Sequence, residues 1–305
     1  MTGYLIAILT FVSLAVLLGF ALNMQWGQAG MLNFGLAGFY GIGAYTAAIL
    51  SKAGVDGFSA TLAAIVATVA LSAVVSLATL KLREDYLAIT TLAFAELVRL
   101  VLTNETWLTG GTNGIRDIPR PLRDLVGGDQ YELFFLLLCL VLVAVTFVVL
   151  ERIIRSPFGR ALRAVREDDV VAATLGKNVL ALRVKAFAIG GAVIGLAGAL
   201  HAYYFTYIDP DEFAGFVTVY AFMAVIVGGK GSNRGLLLGA CTVMVLLEGT
   251  RFLKDLVPFF SAQQAASLRL ALVGAFLVLI LIVRPHSRMT AATGHTATRC
   301  HKGIV

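Results

Sequence analysis

Between residues 60 and 80 the chain reads ATLAAIVATVALSAVVSLATL, without one charged side chain. Wound as an α-helix, a run of that length covers about 30 Å, the thickness of a bilayer's hydrocarbon core. Hydrocarbon offers no water to an unpaired backbone group, so only helices and closed barrels span it. Residues 4–24, 133–150 and 270–283 repeat the pattern. The alternating segments of a membrane barrel are absent. Charged residues are 14% of the chain and hydrophobic ones 59%, where a soluble domain carries about a quarter charged. The chain is therefore expected to be an all-α, polytopic integral membrane protein in contact with membrane lipid.

Hydropathy predicts about nine spans, with eight or ten as alternatives. They lie near 4–24, 31–51, 59–80, 86–103, 132–151, 185–206, 216–229, 235–250 and 268–284. Residues 1–285 are read as one transmembrane domain and the polar tail 286–305 as a disordered cytoplasmic segment. The first run follows MTG, which lacks a basic region, so it is expected to stay as an anchor. Residues 152–185 hold Arg152, Arg155, Arg160, Arg163, Arg166, Lys177, Arg183 and Lys185, the densest basic segment. The positive-inside rule makes it cytoplasmic. Counting spans from it puts Lys81, Arg83, Lys230, Arg234 and the C-terminus inside. Residues 104–132, 207–215 and the N-terminus then fall outside. Arg116, Arg120 and Arg123 run against the rule there. The basic residues flank spans and do not gather in a soluble domain, so the net charge of +6 is a topology signal and nucleic acid is excluded as a partner. Cys139, Cys241 and Cys300 show no metal or disulfide spacing.

Residues 155–178, RSPFGRALRAVREDDVVAATLGKN, predict two short helices at the membrane surface. Ser156 and Pro157 start the first as N-cap and first helical residue. Phe158, Ala161, Leu162 and Val165 share one face of it. Glu167, Asp168 and Asp169 place acids at the positive end of the second, and Gly176 closes it. Two readings stay open: an interfacial linker, or a docking element for a cytoplasmic partner. For docking, Ala172, Ala173 and Gly176 are small enough to enter a groove, and Arg163, Arg166, Glu167, Asp168 and Asp169 offer both signs of charge.

At these residues the chain resembles the permeases of branched-chain amino acid ABC importers of the LivM type. Four ordered blocks carry the resemblance: LNMQWGQAGMLNFGLAGFYGIGAYTAAIL (22–50), LKLREDYLAITTLAFAELVRLVLTNETWLTGGTNGI (80–115), LRAVREDDVVAATLGKNVLALRVKAFAIGGAVIGLAGAL (162–200) and MAVIVGGKGSNRGLLLGA (223–240). Leu36, Lys230 and Arg234 depart from the family's usual residues. The resemblance implies a permease subunit in the plasma (inner) membrane. Its partners would be a second permease of the LivH type, two cytoplasmic ATPase subunits and a periplasmic substrate-binding protein. Residues 166–178 would then dock on the ATPase. Related readings keep the family and change the cargo to urea, short amides or another small polar solute. A self-sufficient secondary transporter or channel is the reading of another class.

Within the spans, Glu96 and Arg99 stand three residues apart, about 15 Å from the start of their helix. They read either as a self-neutralising structural pair or as a polar lining of the substrate path. His201, Tyr203, Tyr204 and Tyr207 read as an interfacial aromatic belt. GGKGSNRG lacks the order and flanking elements of a phosphate loop. No nucleophile, base and acid set is present either, so the chain is not read as an enzyme. No cofactor is expected on it, and ATP with Mg would sit on the partner ATPases. GQAGMLNFGLAGFYGIGAY (27–45) carries six glycines at a predicted span. Ala37, Gly41, Ala44 and Ala48 fall on one helical face, where small side chains let another helix approach. Gly27, Gly30 and Gly35 precede them irregularly, so a broken or re-entrant start is expected there.

Overall fold

The computed structural model describes residues 2–79, 84–123 and 130–256, with 274, 275 and 278. Helices make up the regular structure of these residues. They are α1 (Thr2–Leu22), α2 (Leu36–Lys52), α3 (Gly57–Ala78), α4 (Glu84–Asn104), α5 (Thr106–Thr109), α6 (Tyr131–Arg155), α7 (Pro157–Glu167), α8 (Asp169–Thr174), α9 (Val179–Phe205), α10 (Phe216–Gly228) and α11 (Asn233–Leu256). A π-helical turn, Asn23–Gln28, continues α1, and 3₁₀ turns lie at Gly111–Asn113 and Pro210–Phe213. The chain divides into two compact units, Met1–Glu248 and Gly249–Val305. In the second, the described helix runs on to Leu256.

Six segments are long and apolar enough to cross a membrane: Gly3–Gln28, Gly57–Ala78, Tyr86–Asn104, Tyr131–Arg155, Val179–Phe205 and Pro210–Gly228. The second predicted span appears as α2, 17 residues that begin only at Leu36. The eighth appears as the shorter apolar stretch Asn233–Leu247. The ninth, 268–284, lies almost wholly outside the described residues, and the tail 286–305, Lys81, Arg83 and Cys300 lie entirely outside them.

The core of the first unit forms where α2, α3 and α9 pack together, with α1 against α6 and α9. α3 and α9 approach through small and hydroxylic residues. Gly191 faces the Ser72 side chain and Gly195 faces Thr68. The Thr68 hydroxyl donates to the carbonyl of Ala64 at 2.9 Å, so it enters the apolar seam already paired. α2 meets α9 through Gly43, where an added Cβ would stand 2.9 Å from the Cα of Gly195. Close backbone approach of this kind supplies packing where lipid gives no hydrophobic gain.

The loops at one end are tied together. The Ile115 amide donates to the Ile208 carbonyl at 2.9 Å, and the Ile118 amide to Thr206 at 3.0 Å. Arg116 stacks over Tyr207 and Arg120 over Tyr131. Two of the three arginines that ran against the charge rule thus pack onto aromatic rings of this cap. Tyr203 departs from the belt expected of it. It is buried, its hydroxyl within 3.1 Å of Ser51 Oγ and donating to the Gly57 carbonyl at 3.1 Å. The apolar α9 carries it inside the bundle, so the phenol must find its partners in protein. Asp56 caps α3 by accepting from the Ser59 amide, and hydrogen bonding from Ser59, its side chain first and then its amide, holds the Asp56 carboxyl below the usual range.

Candidate functional site

α1 does not end as an α-helix. After Leu22 it widens into the π-helical turn and then gives way to residues 29–35, which lack helix until α2 begins. Such widened turns recur at functional sites because they free backbone groups for other partners. Gly30 has φ +74°, a conformation open to glycine.

Buried amides and hydroxyls tie the break to its neighbours. Asn33 Nδ2 donates to Gln25 Oε1 at 2.8 Å, and Gln25 Nε2 donates to the Phe187 carbonyl of α9 at 3.1 Å. Asn33 Oδ1 accepts from the Gly35 amide at 2.8 Å. Thr91 Oγ1 of α4 accepts from the Phe34 amide, and Thr218 Oγ1 of α10 accepts from the Ala37 amide. Asn23 Nδ2 donates to Asn233 Oδ1 at 2.8 Å, while Asn23 Oδ1 accepts from the Gly231 amide. Gln28 Nε2 donates to the Gly231 carbonyl at 2.7 Å. The break therefore bonds to α4, α9, α10 and the loop before α11. Each buried partner removed would leave an unmet group costing about 1–3 kcal/mol.

Aromatic rings cover one side of the break. Phe34 stacks on Phe222 at 4.6 Å, Trp26 lies 5.1 Å from Phe222, and Lys230 Nζ sits 4.6 Å over the Trp26 ring.

α7 and α8 reach this site directly. Arg166 Nη1 donates to the Gly27 carbonyl at 2.6 Å, and a Cβ on Gly30 would stand 2.9 Å from Arg166 Cγ. α7 is held because Leu162 and Val165 are buried, so its charged face turns outward. Asp168 Oδ1 accepts from the Val171 amide and starts α8, and Gly176 closes it at φ +76°. Ser156 occupies the N-cap position of α7, but its hydroxyl donates back to the Ile153 carbonyl.

The residues proposed for docking divide. Asp169 pairs with Arg183 at 3.0 Å and Arg163 donates to the Ile154 carbonyl. With Arg166 and Asp168, they are engaged inside the chain. Ala172 is buried, while Glu167, Ala173 and Gly176 are exposed. The open surface of α8 comes from residues the sequence reading passed over: Val170 (69% exposed), Val171 (52%) and Leu175 (73%).

Ala37, Gly41, Ala44 and Ala48 are all buried. Gly41 faces Phe213 and Leu102, and Ala44 faces Gly198 of α9. Close approaches are also made by Gly38, against Ala95 of α4, and by Gly43, against Gly195 of α9. α2 is thus closely packed on several faces, where the spacing had picked out one.

Glu96 and Arg99 pair at 2.7 Å. Arg99 also holds Asp211, in the 3₁₀ turn before α10, at 3.1 Å. At the same end His201 lies 3.1 Å from Glu212, among Tyr40, Phe205 and Phe213.

The sequence reading missed Asn23, Gln25, Gln28, Asn33 and Asn233. A signal was present: four of these amides fall within LNMQWGQAGMLNF, at membrane depth by hydropathy. Polar side chains there must find protein partners.

The family described as branched-chain amino acid transport system / permease component matches residues 4–282. The high-affinity branched-chain amino acid transport system permease protein LivM of Salmonella typhimurium is 33% identical over 303 residues, covering 91% of this chain and 68% of that protein. The Escherichia coli protein of the same name is 33% identical over 304 residues, with the same coverage. Permease protein LivH of Escherichia coli is 27% identical over 298 residues, 90% of this chain and 91% of its own. A multi-pass helical chain matched over nearly its whole length in this way belongs to the branched-chain amino acid transport system permease family.

Proposed function

We propose that the chain is the membrane-spanning permease subunit of an ATP-binding cassette importer for branched-chain or related amino acids. A second permease of the LivH type, two ATPase subunits and a periplasmic binding protein complete the importer. ATP and Mg bind the ATPases, and this chain does no chemistry of its own. The nine spans are the six long segments, α2, α11 and residues 268–284. The N-terminus lies outside. The basic segment around α7 and α8 lies in the cytoplasm, with the C-terminus on the same side.

The observation that carries this reading is the bond from Arg166 to Gly27. It joins a surface helix pair to the break that follows α1. α8 presents Val170, Val171 and Leu175 to solvent, an apolar surface suited to a partner's groove. A partner that moves α7 and α8 pulls on the break through Arg166. The break in turn bonds to α4, α9 and α10, so the movement reaches the helices that flank the path.

Reconstitution with the cognate ATPases, second permease and binding protein tests it. Leucine with the loaded binding protein is expected to stimulate ATP hydrolysis and uptake. Stimulation by urea and not by leucine would replace the cargo, and uptake without ATP would overturn the importer reading.

A further inference from the structure

Three long helices leave wide membrane-level faces uncovered, and they differ in chemistry. The exposed face of α3 carries Leu62, Val66, Val74 and Leu77. That of α6 carries Leu137, Val141, Val145 and Val148. Their mid-helix hydroxyls are buried: Thr68 and Ser72 in α3, Thr146 in α6. These faces suit lipid. The exposed face of α4 joins Ile89, Leu92, Leu97 and Leu100 to Thr90 and Glu96. The Glu96 side chain is 54% exposed although it lies roughly 12 Å from the Asn104 end of its helix. Arg99 neutralises only part of this charge, because it shares its guanidinium with Asp211, which is 89% exposed. The trio of Glu96, Arg99 and Asp211 is net negative. A carboxylate held in an apolar helix face does not belong against hydrocarbon.

We propose that the exposed face of α4 is the surface on which the second permease subunit seats, with Glu96 turned toward a polar seam between the two subunits. The inference rests on the permease reading above and adds to it which helix faces the partner. The opposite, buried face of α4 carries Thr91, which accepts from the Phe34 amide of the break. α4 therefore stands between the seam and the break. The partner should offer a cation or a hydrogen-bond donor opposite Glu96, which makes its contact specific where lipid contact would not be. α3 and α6 remain lipid-facing.

The test is site-specific photo-crosslinking in native membranes of cells making the whole transporter. Benzoylphenylalanine replaces Ile89, Ala93 or Leu97 on α4, and Leu137 or Val141 on α6. All but Ala93 are large apolar residues and all are already exposed, so the bundle has room for the probe. Leucine uptake is measured on each variant. The expected result is an adduct with the second permease from at least two α4 positions and none from α6. The proposal is overturned by adducts from α6 alone, by adducts joining two copies of this chain, or by adducts within the chain to residues 268–284. Unmodified α4 probes in a complex that still takes up leucine overturn it as well. Failure of the chain to co-purify with a second permease would sink the permease reading itself, and that outcome is scored separately, before irradiation.

Discussion

At the scale of single residues, side chains that look out of place in a membrane chain set the geometry of the break. Gln25 and Asn33 satisfy each other at 2.8 Å and are both fully buried. Gln25→Leu leaves the Asn33 Nδ2 group without its acceptor and removes the side-chain bond to the Phe187 carbonyl, so thermal unfolding in detergent should show a loss of about 1–3 kcal/mol. The double variant Gln25→Leu/Asn33→Leu should lose less than the sum of the single changes, because each single change leaves the other partner unmet. Full additivity would show the two to be energetically independent. Arg166 acts differently, because its guanidinium binds a backbone carbonyl of the break. Arg166→Ala should cut uptake about tenfold or more while the ATPase still co-purifies, since a charge-assisted bond contributes about 1.5–3 kcal/mol and the apolar surface of α8 is untouched. Unchanged uptake would remove Arg166 from the coupling route.

Elements give two further predictions. α8 is a single short turn of helix whose apolar side chains face water. Val171→Glu and Leu175→Glu should leave the fold intact and release the ATPase on affinity purification. Retention of the partner by both would leave docking without its surface. α2 answers to packing. A methyl on Gly43 meets the backbone of Gly195 at 2.9 Å, and backbone cannot move aside as a side-chain tip can. Gly43→Ala should therefore cost about 1–3 kcal/mol of stability, as overpacking does. Gly215→Ala, whose added carbon meets nothing within 4 Å, should be silent in the same melting assay. The spacing of Ala37, Gly41, Ala44 and Ala48 names one face of α2, while Gly38 and Gly43 make close approaches on others. Spacing on one helix cannot say how many neighbours surround it.

For the whole molecule, orientation is the property to measure. With Cys241 and Cys300 replaced, Gly215→Cys should react with a membrane-impermeant thiol reagent on intact cells. Leu175→Cys should react only after the membrane is opened. The reverse pattern would invert the proposed topology. The structure ties residues 115–118 to residues 206–208 and links α7 to the end of α1. Each label therefore reports on a group of segments that must share one side.

The sequence by itself determined the solvent and the class. Uncharged runs such as residues 60–80 are stable only as helices in hydrocarbon, and that follows from backbone desolvation whatever the neighbours are. It also made the break at Gly27, Gly30 and Gly35 legible, because glycine weakens a helix locally. The tertiary structure alone decided where the freed groups go. Asn23 meets Asn233 across 210 positions of chain and Arg166 meets Gly27 across 139, and no local pattern encodes such pairs. It likewise decided that α4 keeps an acid on its open face at mid-helix, while α3 keeps none and the exposed acid of α6, Glu132, lies in that helix's first turn, because exposure belongs to the packed bundle and to no single helix.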